Sequence, residues 1–353
     1  MDKTDILSLS CDELENIMIN SLCEKKFRAK QIYNWLHVKN VLDFSEMTNI
    51  SAGLQARLND IFCIKRLNII RKLESATDNT VKYLYGLADG NIIESVVMEY
   101  NFGISICVST QVGCKMGCDF CASAIAGYVR SLEASEILLQ MYEAQKDTGK
   151  RISRIVLMGI GEPLDNYDNV VKFIRLVTAP EGCNLSQRHI TLSTCGIVPG
   201  IDKLAKENLS VNLAVSLHNA SDKGRSAIMP VNRKYGLDEL IPACERYEKQ
   251  TGRRVTFEYA VIEGVNSSSE DAKRIAALLK NMICHVNLIA VNTVKERSYA
   301  SEEKTVRRFQ AQLEKLGVNA TIRRKLGSDI DAACGQLRRE LEAVRGDNVE
   351  STD

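Results

Sequence analysis

Apolar residues near the start of the chain repeat at the spacing of a helix. In the stretch CDELENIMINSL, apolar residues follow Leu14 at three, four and eight positions, which places them on one helix face. The stretch FRAKQIYNWLH repeats this spacing with Ile32, Trp35 and Leu36. The pattern predicts short helices over residues 1–60.

From about residue 67 the apolar spacing becomes that of strands. The stretches NTVKYLYGL and NIIESVVMEY are rich in β-branched and aromatic residues. Between them, Asp89–Gly90 is typical of a tight turn. We therefore expect a short β-hairpin that leads from the helices into the rest of the chain.

Beyond residue 100, short apolar runs alternate with amphipathic segments. The predicted strands are residues 104–109, 153–158, 189–193, 211–216, 255–262, 286–291 and 318–323. The predicted helices between them include residues 132–146, 167–178, 237–250, 270–281 and 302–316. Repeated strand–helix–strand units form a parallel sheet covered by helices. The pattern predicts an α/β fold, as a complete or partial βα barrel or as a doubly wound sheet.

Polar residues and glycines collect where these predicted strands end. They are Gly159 to Glu162, Ser193, Ser216 to His218, Glu263 and Asn292. In both candidate folds, the carboxyl ends of the parallel strands carry the functional residues. We expect the functional site at that end of the sheet.

Composition narrows the class of protein. The chain has 353 residues, of which 45% are hydrophobic and 26% charged, as in soluble globular proteins. Its apolar runs are shorter than the roughly 18–20 residues that cross a bilayer. The start, MDKTDILSLSCDELENIM, lacks the basic and apolar regions of a signal peptide. These features predict a cytoplasmic protein, in which the 12 cysteines would be reduced thiols.

Three cysteines stand apart from the others by their spacing. Cys114, Cys118 and Cys121 form the pattern C-x3-C-x2-C directly after the first strand of the alternation. A structural zinc site needs four ligands, and Cys107 in the preceding strand is only a weak candidate for the fourth. Three thiolates suit a [4Fe–4S] cluster instead, whose remaining iron stays open for another ligand.

Three further features carry no functional signal by themselves. Cys334, between Gly327 and Gly335 in GSDIDAACGQLRRE, has the surroundings of an inert thiol in a loop. Glu94 is a lone carboxylate on a predicted strand, where we expect it to be solvated. The basic run KKFRAK is typical of a solvated helix end, and the net charge of +1 gives no overall attraction for nucleic acid.

The cysteine spacing, at the end of the first strand, resembles that of the radical S-adenosylmethionine superfamily. The resemblance implies a partial βα barrel in which Cys114, Cys118 and Cys121 hold a [4Fe–4S] cluster. It also implies that S-adenosylmethionine binds the open iron and is cleaved to a 5′-deoxyadenosyl radical. The stretch MGIGEP resembles the segment that meets the methionine amine. The positions that match the superfamily's cofactor contacts are Gly161, Glu162, Ser193, Ser216, Leu217, His218 and Asn292.

Longer stretches resemble the RlmN/Cfr family of RNA adenine methyltransferases. They are FRAKQIYNWL, GNIIESV, CVSTQVGCKMGCDFCAS, LMGIGEPLDNYDNV, QRHITLSTCGIVPGI, TGRRVTFEYA and GSDIDAACGQLRR, which together span nearly the whole chain. The resemblance implies a helical RNA-binding accessory domain at 1–62, which would give KKFRAK a role in RNA binding. It further implies a linker β-hairpin at 63–100, a barrel at 101–326, and a C-terminal loop and tail at 327–353.

The resemblance also implies a reaction and its partners. In the RlmN branch, the substrates are adenosine 2503 of 23S ribosomal RNA and adenosine 37 of some transfer RNAs, methylated at C2. Cys334 would carry an S-methylcysteine intermediate, made from one S-adenosylmethionine, while a second supplies the radical. Cys107 would resolve the adduct through a transient disulfide with Cys334, and Glu94 would accept the C2 proton. We expect a monomer without a membrane partner, reduced by a flavodoxin- or ferredoxin-like donor.

Two alternatives stay open at this point. The Cfr branch methylates C8 of the same ribosomal adenosine and shares the cluster and both mechanistic cysteines. Pro163 in GEP, where Cfr resembles GEA, favours the C2 enzyme. The second alternative is a non-catalytic RNA-binding protein with a structural zinc or iron–sulfur site.

Overall fold

Helices make up the first part of the chain. The computed structural model describes residues 3–291, 299, 301–332 and 335–337. The first helices are α1 (Cys11–Asn20), α2 (Lys26–His37) and α3 (Ala52–Ile61). Helix α1 begins at a capping box, in which Ser10 and Glu13 each accept the other's backbone N–H. The helices predicted for residues 1–60 are confirmed.

The main sheet has ten strands, and their order in space follows their order in the chain. They are β1 (Asn68–Glu74), β2 (Val81–Gly86), β3 (Ile92–Tyr100), β4 (Gly103–Cys107), β5 (Arg154–Leu157), β6 (Ile190–Thr194), β7 (Asn212–Ser216), β8 (Val255–Val261), β9 (Cys284–Ala290) and β10 (Ala320–Ile322). Strands β1 to β4 pair antiparallel. Strands β4 to β10 pair parallel. The sheet therefore changes direction at β4, whose last residue is Cys107.

Helices cover the parallel part of the sheet. They are α4 (Ala134–Thr148), α5 (Tyr167–Thr178), α6 (Val198–Ala205), α7 (Asp222–Ile228), α8 (Leu237–Thr251), α9 (Ser269–Leu279) and α10 (Glu303–Lys315). Their apolar faces are buried against the strands, as at Ile137, Phe173 and Phe309. Within the described residues, the edge strands β1 and β10 do not pair with each other, so the barrel is partial. The predicted α/β fold with a partial barrel is confirmed.

The lead-in to the barrel is larger than the predicted hairpin. Strands β2 and β3 form that hairpin, and β1 pairs with β2 as a third antiparallel strand. Most side chains of β1 are exposed, so its sequence has no buried face to produce an alternating pattern. The two short helices α6 and α7 were also missed, because their glycines and a proline interrupt the helical spacing. In the part of the chain that the structure describes, no helix has the length and apolar character needed to span a membrane.

Candidate active site

Cys114, Cys118 and Cys121 line one cavity at the carboxyl ends of the parallel strands, here called the cluster cavity. Burial raises the pKa of Cys114 to about 12 and the pKa of Cys118 well above its ordinary value. The neighbouring thiols and Glu162 raise both pKa values further, because they would repel a thiolate. Three thiolates are therefore stable here only when a cationic group joins them, which is the charge that iron ions supply.

The geometry of the thiols also bears on the kind of metal group. Among the described residues, no three histidine, cysteine or carboxylate side chains converge closely enough to hold one metal ion. The ligands of a [4Fe–4S] cluster differ from those of a single zinc ion, because each cysteine binds its own iron. The three cysteines line the same cavity, as three cysteine ligands of one [4Fe–4S] cluster would have to.

Two glycines shape the loop that follows β5. A Cβ atom at Gly159 would lie 2.7 Å from the backbone of Val108 and Ser109, so only glycine lets these strand ends approach. Gly161 has φ +108°, and a Cβ atom there would lie 2.6 Å from the side chain of Gln111. The glycines of MGIGEP therefore bring Gly161 and Glu162 to the cluster cavity, which both residues line.

Glu162 ties two neighbouring strand ends together. Its carboxylate accepts the backbone N–H of Cys195, after β6, at 2.7 Å and that of Leu164 at 3.0 Å. Its own N–H donates to the side-chain oxygen of Gln111 at 2.9 Å. Burial raises the pKa of Glu162, and these hydrogen bonds oppose that rise by favouring the carboxylate.

His218 lies beside β8 in a backbone conformation that is uncommon outside glycine, with φ 52°. Its Nδ1 accepts the backbone N–H of Ala260 at 2.9 Å, so the ring proton lies on Nε2. Burial lowers the pKa of His218 to about 3, and nearby Arg225 lowers it further. The ring of Phe120, from the cysteine loop, packs edge-to-face against it at 4.6 Å. The histidine is therefore a neutral donor on the wall of the cluster cavity.

Most of the predicted cofactor contacts meet in this cavity. With the three cysteines it is lined by Gly161, Glu162, Ser193, Ser216 and His218. Leu217 does not line it, because its side chain is fully buried in the hydrophobic core. Only its backbone lies at the site, with its N–H donated to the Glu258 carbonyl at 3.0 Å. Asn292 and Cys334 lie outside the described residues.

A second cavity, here called the thiol cavity, adjoins the cluster cavity. Cys107 lines it together with Ala332 and Leu337, which stand on either side of Cys334 in the chain. Met158 and Leu337 line both cavities, so the two spaces are neighbours. The structure thus brings Cys107 next to the chain segments that flank Cys334.

The C-terminal loop is held against the cysteine loop. The carbonyl of Gly335 accepts the N–H of Ala122 at 2.8 Å, one residue after Cys121. The hydroxyl of Ser123 donates to the Leu337 carbonyl at 2.7 Å. These two bonds fix the residues just beyond Cys334 to the edge of the cluster cavity.

Glu94 is buried, and the expectation that it is solvated is wrong. Its side chain is 0% exposed and lies 2.9 Å from Nζ of Lys82, which is 2% exposed. The reason is the position of β3, which has a neighbouring strand on each side and buried residues on both faces. A single carboxylate in the sequence does not indicate whether its side chain will be buried.

Arg225, on α7, is a site residue that the sequence did not indicate. Its guanidinium is completely buried and donates to the carbonyls of Cys195 at 2.6 Å, Ser216 at 2.9 Å and Leu217 at 3.2 Å. It therefore fixes the ends of β6 and β7 relative to each other. A lone arginine in a short helix matches no motif, so only its burial identifies it.

Fold and site together define a radical S-adenosylmethionine protein. The sequence profile of the radical SAM superfamily matches residues 108–279, which contain the three cysteines and strands β5 to β8. A crystal structure of a radical SAM methyltransferase from Sphaerobacter thermophilus superposes with a TM-score of 0.90 at 39% identity. The match covers 95% of this chain and 99% of that one. The superfamily uses a [4Fe–4S] cluster and S-adenosylmethionine, as the sequence predicts.

Within this superfamily, the chain belongs to the RlmN family. A relative from Clostridium perfringens (strain 13) is 52% identical over 97% of this chain and 99% of its own. Another, from Lachnoclostridium phytofermentans, is 51% identical over 96% and 95%. Both carry the name "Probable dual-specificity RNA methyltransferase RlmN". A profile of the "Ribosomal RNA large subunit methyltransferase N-terminal domain" matches residues 4–64. The predicted family and the class of methyltransferase are confirmed.

Proposed function

We propose that this enzyme methylates C2 of adenosine 2503 in 23S ribosomal RNA and of adenosine 37 in some transfer RNAs. The observation that carries the proposal is the thiol cavity. It places Cys107 beside both chain segments that flank Cys334, directly next to the cluster cavity. A thiol beside the segments that flank a second cysteine, next to a radical-generating site, suits the resolving partner of a methyl carrier. The names of the relatives support RNA as the substrate.

Cys334 and Cys107 have different roles in the covalent steps. When bound, S-adenosylmethionine and the cluster on Cys114, Cys118 and Cys121 supply a methyl group and, from a second S-adenosylmethionine, a hydrogen-abstracting radical. The Cys334 thiolate takes the methyl group, and its S-methyl carbon then loses one hydrogen atom and bonds to C2 of adenine. Cys107 attacks the Cys334 sulfur and breaks its bond to that carbon. The freed carbon takes up a proton and becomes the methyl group of the product, while the two sulfurs form a Cys107–Cys334 disulfide. The electron left over from the radical stage would return to the [4Fe–4S] cluster, which gives up one electron when S-adenosylmethionine is cleaved.

Glu94 serves this scheme as the proton acceptor. Carbon 2 carries a hydrogen that must leave as a proton before the ring regains its aromatic form. The Glu94 carboxylate lies 2.9 Å from Nζ of Lys82, which fixes its position in the sheet. Gly161, Glu162, Ser193, Ser216, Leu217, His218 and Asn292 would hold S-adenosylmethionine.

The proposal also covers how the enzyme binds RNA, where it works and what reduces it. RNA loops are recognised through exposed, splayed bases and backbone contacts, and a base in folded RNA must be flipped out to reach a buried thiol. The helical domain with KKFRAK would bind that RNA. We propose a cytoplasmic monomer that receives electrons from a flavodoxin- or ferredoxin-like donor.

The direct test uses protein reconstituted with iron and sulfide without oxygen. We expect it to cleave S-adenosylmethionine, and mass spectrometry of digested ribosomal and transfer RNA should find 2-methyladenosine. The matched variant Cys334→Ala should still cleave S-adenosylmethionine but leave the RNA unmethylated. Methylation at C8 without C2 would establish the Cfr-type reaction instead. A zinc-loaded protein that cannot cleave S-adenosylmethionine would establish the non-catalytic alternative.

A further inference from the structure

Lys82 and Glu94 form an ion pair in the interior of the sheet. Lys82 lies on β2 and Glu94 on β3, with Nζ 2.9 Å from Oε1 and side chains 2% and 0% exposed. Removing two charges from water is costly, and apolar residues of similar size are often at least as stable in such a place. Stability alone therefore does not account for this pair.

The pair lies on the face of the sheet that carries Cys107. Side chains alternate along a strand, so Glu94 and Val96 share one face of β3. Val96 pairs with Cys107 of β4, and both line the thiol cavity. The Glu94 carbonyl also accepts the hydroxyl of Ser109, just beyond β4, at 2.6 Å. Glu94 is thus held at the strand end where Cys107 lies.

Lys82 also contacts the loop that carries Cys334. Its Nζ donates to the carbonyl of Asp331 at 3.3 Å, three residues before Cys334. Four other hydrogen bonds hold this loop to the turn between β1 and β2. The Asp78 carboxylate accepts the N–H of Gly327 at 3.0 Å. The Asp329 carboxylate accepts the Ser75 hydroxyl at 2.8 Å, the Ala76 N–H at 2.8 Å and the Thr77 hydroxyl at 3.4 Å. Those bonds anchor the loop to the turn. Lys82 instead connects the loop to Glu94, because its Nζ contacts both Asp331 and Glu94.

We propose that Lys82 is a positioning residue that fixes Glu94 and the Cys334 loop relative to each other for product release. This inference rests on the proposed function. In the step concerned, the C2–H bond breaks, the proton passes to the Glu94 carboxylate, and the bonding electrons stay with the adenine ring. The Lys82 ammonium holds the carboxylate in position until the proton arrives. Its bond to Asp331 holds the described part of the Cys334 loop, which includes Ala332, beside Cys107.

Loss of Lys82 should affect the release of RNA more than the earlier steps of the reaction. Lys82→Met removes the charge and keeps an unbranched side chain. We expect S-adenosylmethionine cleavage to stay at the wild-type rate and Cys334 methylation to fall less than RNA release, because neither step uses Glu94 or Cys107. RNA product should form about 100-fold more slowly, the cost of misplacing a reacting group by about 1 Å. A covalent protein–RNA adduct should accumulate, and Lys82→Arg should restore part of the rate.

A measurement on cluster-free protein tests the loop contact by itself. Under a mild thiol oxidant, the yield of the Cys107–Cys334 disulfide should fall several-fold in Lys82→Met, as mapped by mass spectrometry. The matched control is Lys72→Met on the neighbouring strand β1, where Lys72 pairs with Asp147 at 2.9 Å and Glu74 at 2.8 Å near the surface. This control should form the disulfide as the wild type does.

A double variant guards against a simple folding defect. Lys82→Met removes one charge of the buried ion pair, whereas Lys82→Met with Glu94→Gln removes both charges and should fold. If Lys82 acts partly through Glu94, adding Lys82→Met to Glu94→Gln should slow RNA release less than Lys82→Met slows it in the wild type. Equal losses in Cys334 methylation and RNA release would overturn the proposal, as would a wild-type disulfide yield in Lys82→Met. If wild-type protein leaves RNA unmethylated, the proposed function fails, while the disulfide measurement still tests the loop contact.

Discussion

The two cavities of this protein are assembled in different ways. The cluster cavity takes its three cysteines from eight consecutive residues, 114–121, and its other polar groups from the ends of neighbouring parallel strands. The thiol cavity takes Cys107 from the strand where the sheet changes direction. Its opposite wall comes from a loop more than two hundred residues later, at Ala332 and Leu337.

The two cavities are therefore held in place by different kinds of contact. Parallel strand ends meet because the sheet is parallel, so the cluster cavity follows from the fold once the cysteine loop is present. The thiol cavity needs individual contacts, such as Ala122 with Gly335 and Ser123 with Leu337, to keep the distant loop in position. We therefore expect the cluster cavity to survive damage to the thiol cavity. The reverse should not hold, because the C-terminal loop rests on the cysteine loop.

The largest effect should come from breaking the cluster cavity at its cysteines. Cys118→Ala removes one of three thiols, and iron content and S-adenosylmethionine cleavage should both fall by more than about 100-fold, beyond the cost of losing a group that only supports a ligand. Iron analysis and detection of 5′-deoxyadenosine measure the two quantities. Cys284→Ala, at the opposite end of β9, is the control and should retain both. Full iron content in Cys118→Ala would contradict the assignment.

The next effect should come from the thiol cavity alone. Cys107→Ala should keep its cluster, cleave S-adenosylmethionine and methylate Cys334. Release of methylated RNA should fall by two or more orders of magnitude, because no second nucleophile reaches the Cys334 sulfur. Gel analysis should detect a protein–RNA adduct that persists under denaturing conditions. A variant that loses its cluster as well would show that the two cavities are not separable.

The difference between the two cavities also explains which parts of the fold and the site could be predicted from the sequence. Strands β4 to β10 bury alternating or continuous apolar faces, and their pattern predicts the parallel sheet and the end at which the site lies. The spacing of Cys114, Cys118 and Cys121 is local, so it can be recognised without a structure. Strand β1 could not be predicted in this way, because its exposed residues NIIRKLE give no buried face.

Contacts between distant segments could not be derived from the pattern. The burial of Glu94 depends on strands and a loop far from it in sequence, so a lone carboxylate looks solvated until the sheet is assembled. Arg225 is hidden for the same reason, since its partners are backbone carbonyls that carry no sequence signal. The roles of Cys107 and Cys334 came from family resemblance, and the structure adds the position of Cys107 beside the segments that flank Cys334.

Arg225 should stabilise the strand ends that line the cluster cavity, and its removal should lower the free energy of unfolding. Arg225→Met removes the guanidinium from the carbonyls of Cys195, Ser216 and Leu217, of which the Leu217 carbonyl also accepts the Asn219 N–H at 2.6 Å. Each carbonyl left unsatisfied costs about 1–3 kcal/mol. We expect the free energy of unfolding to fall by about 3–5 kcal/mol, as measured by urea titration. The affinity for S-adenosylmethionine should fall as well, because these strand ends line the cluster cavity. A loss below about 1 kcal/mol would mean that water or repacking replaces the guanidinium.

The smallest effect concerns His218, the histidine on the wall of the cluster cavity. Its pKa is lowered to about 3 in the folded protein, whereas an unfolded chain has a pKa near about 6.5. Between these values the unfolded state binds more protons, so stability is complete above about pH 6.5 and falls as the pH decreases, by at most about 1.4 kcal/mol per pH unit for one such group.

His218→Asn should make that decline shallower. The asparagine oxygen can accept the Ala260 N–H that Nδ1 now accepts, and asparagine tolerates the positive φ at this position. Urea unfolding between about pH 6.5 and pH 4 measures the slope. His37, the buried last residue of α2, has a pKa that burial also lowers to about 3, and it should keep part of the decline in the variant. Equal slopes in the variant and the wild type would mean that burial does not lower the pKa of His218 in the folded protein, and would contradict the environment described for this side chain.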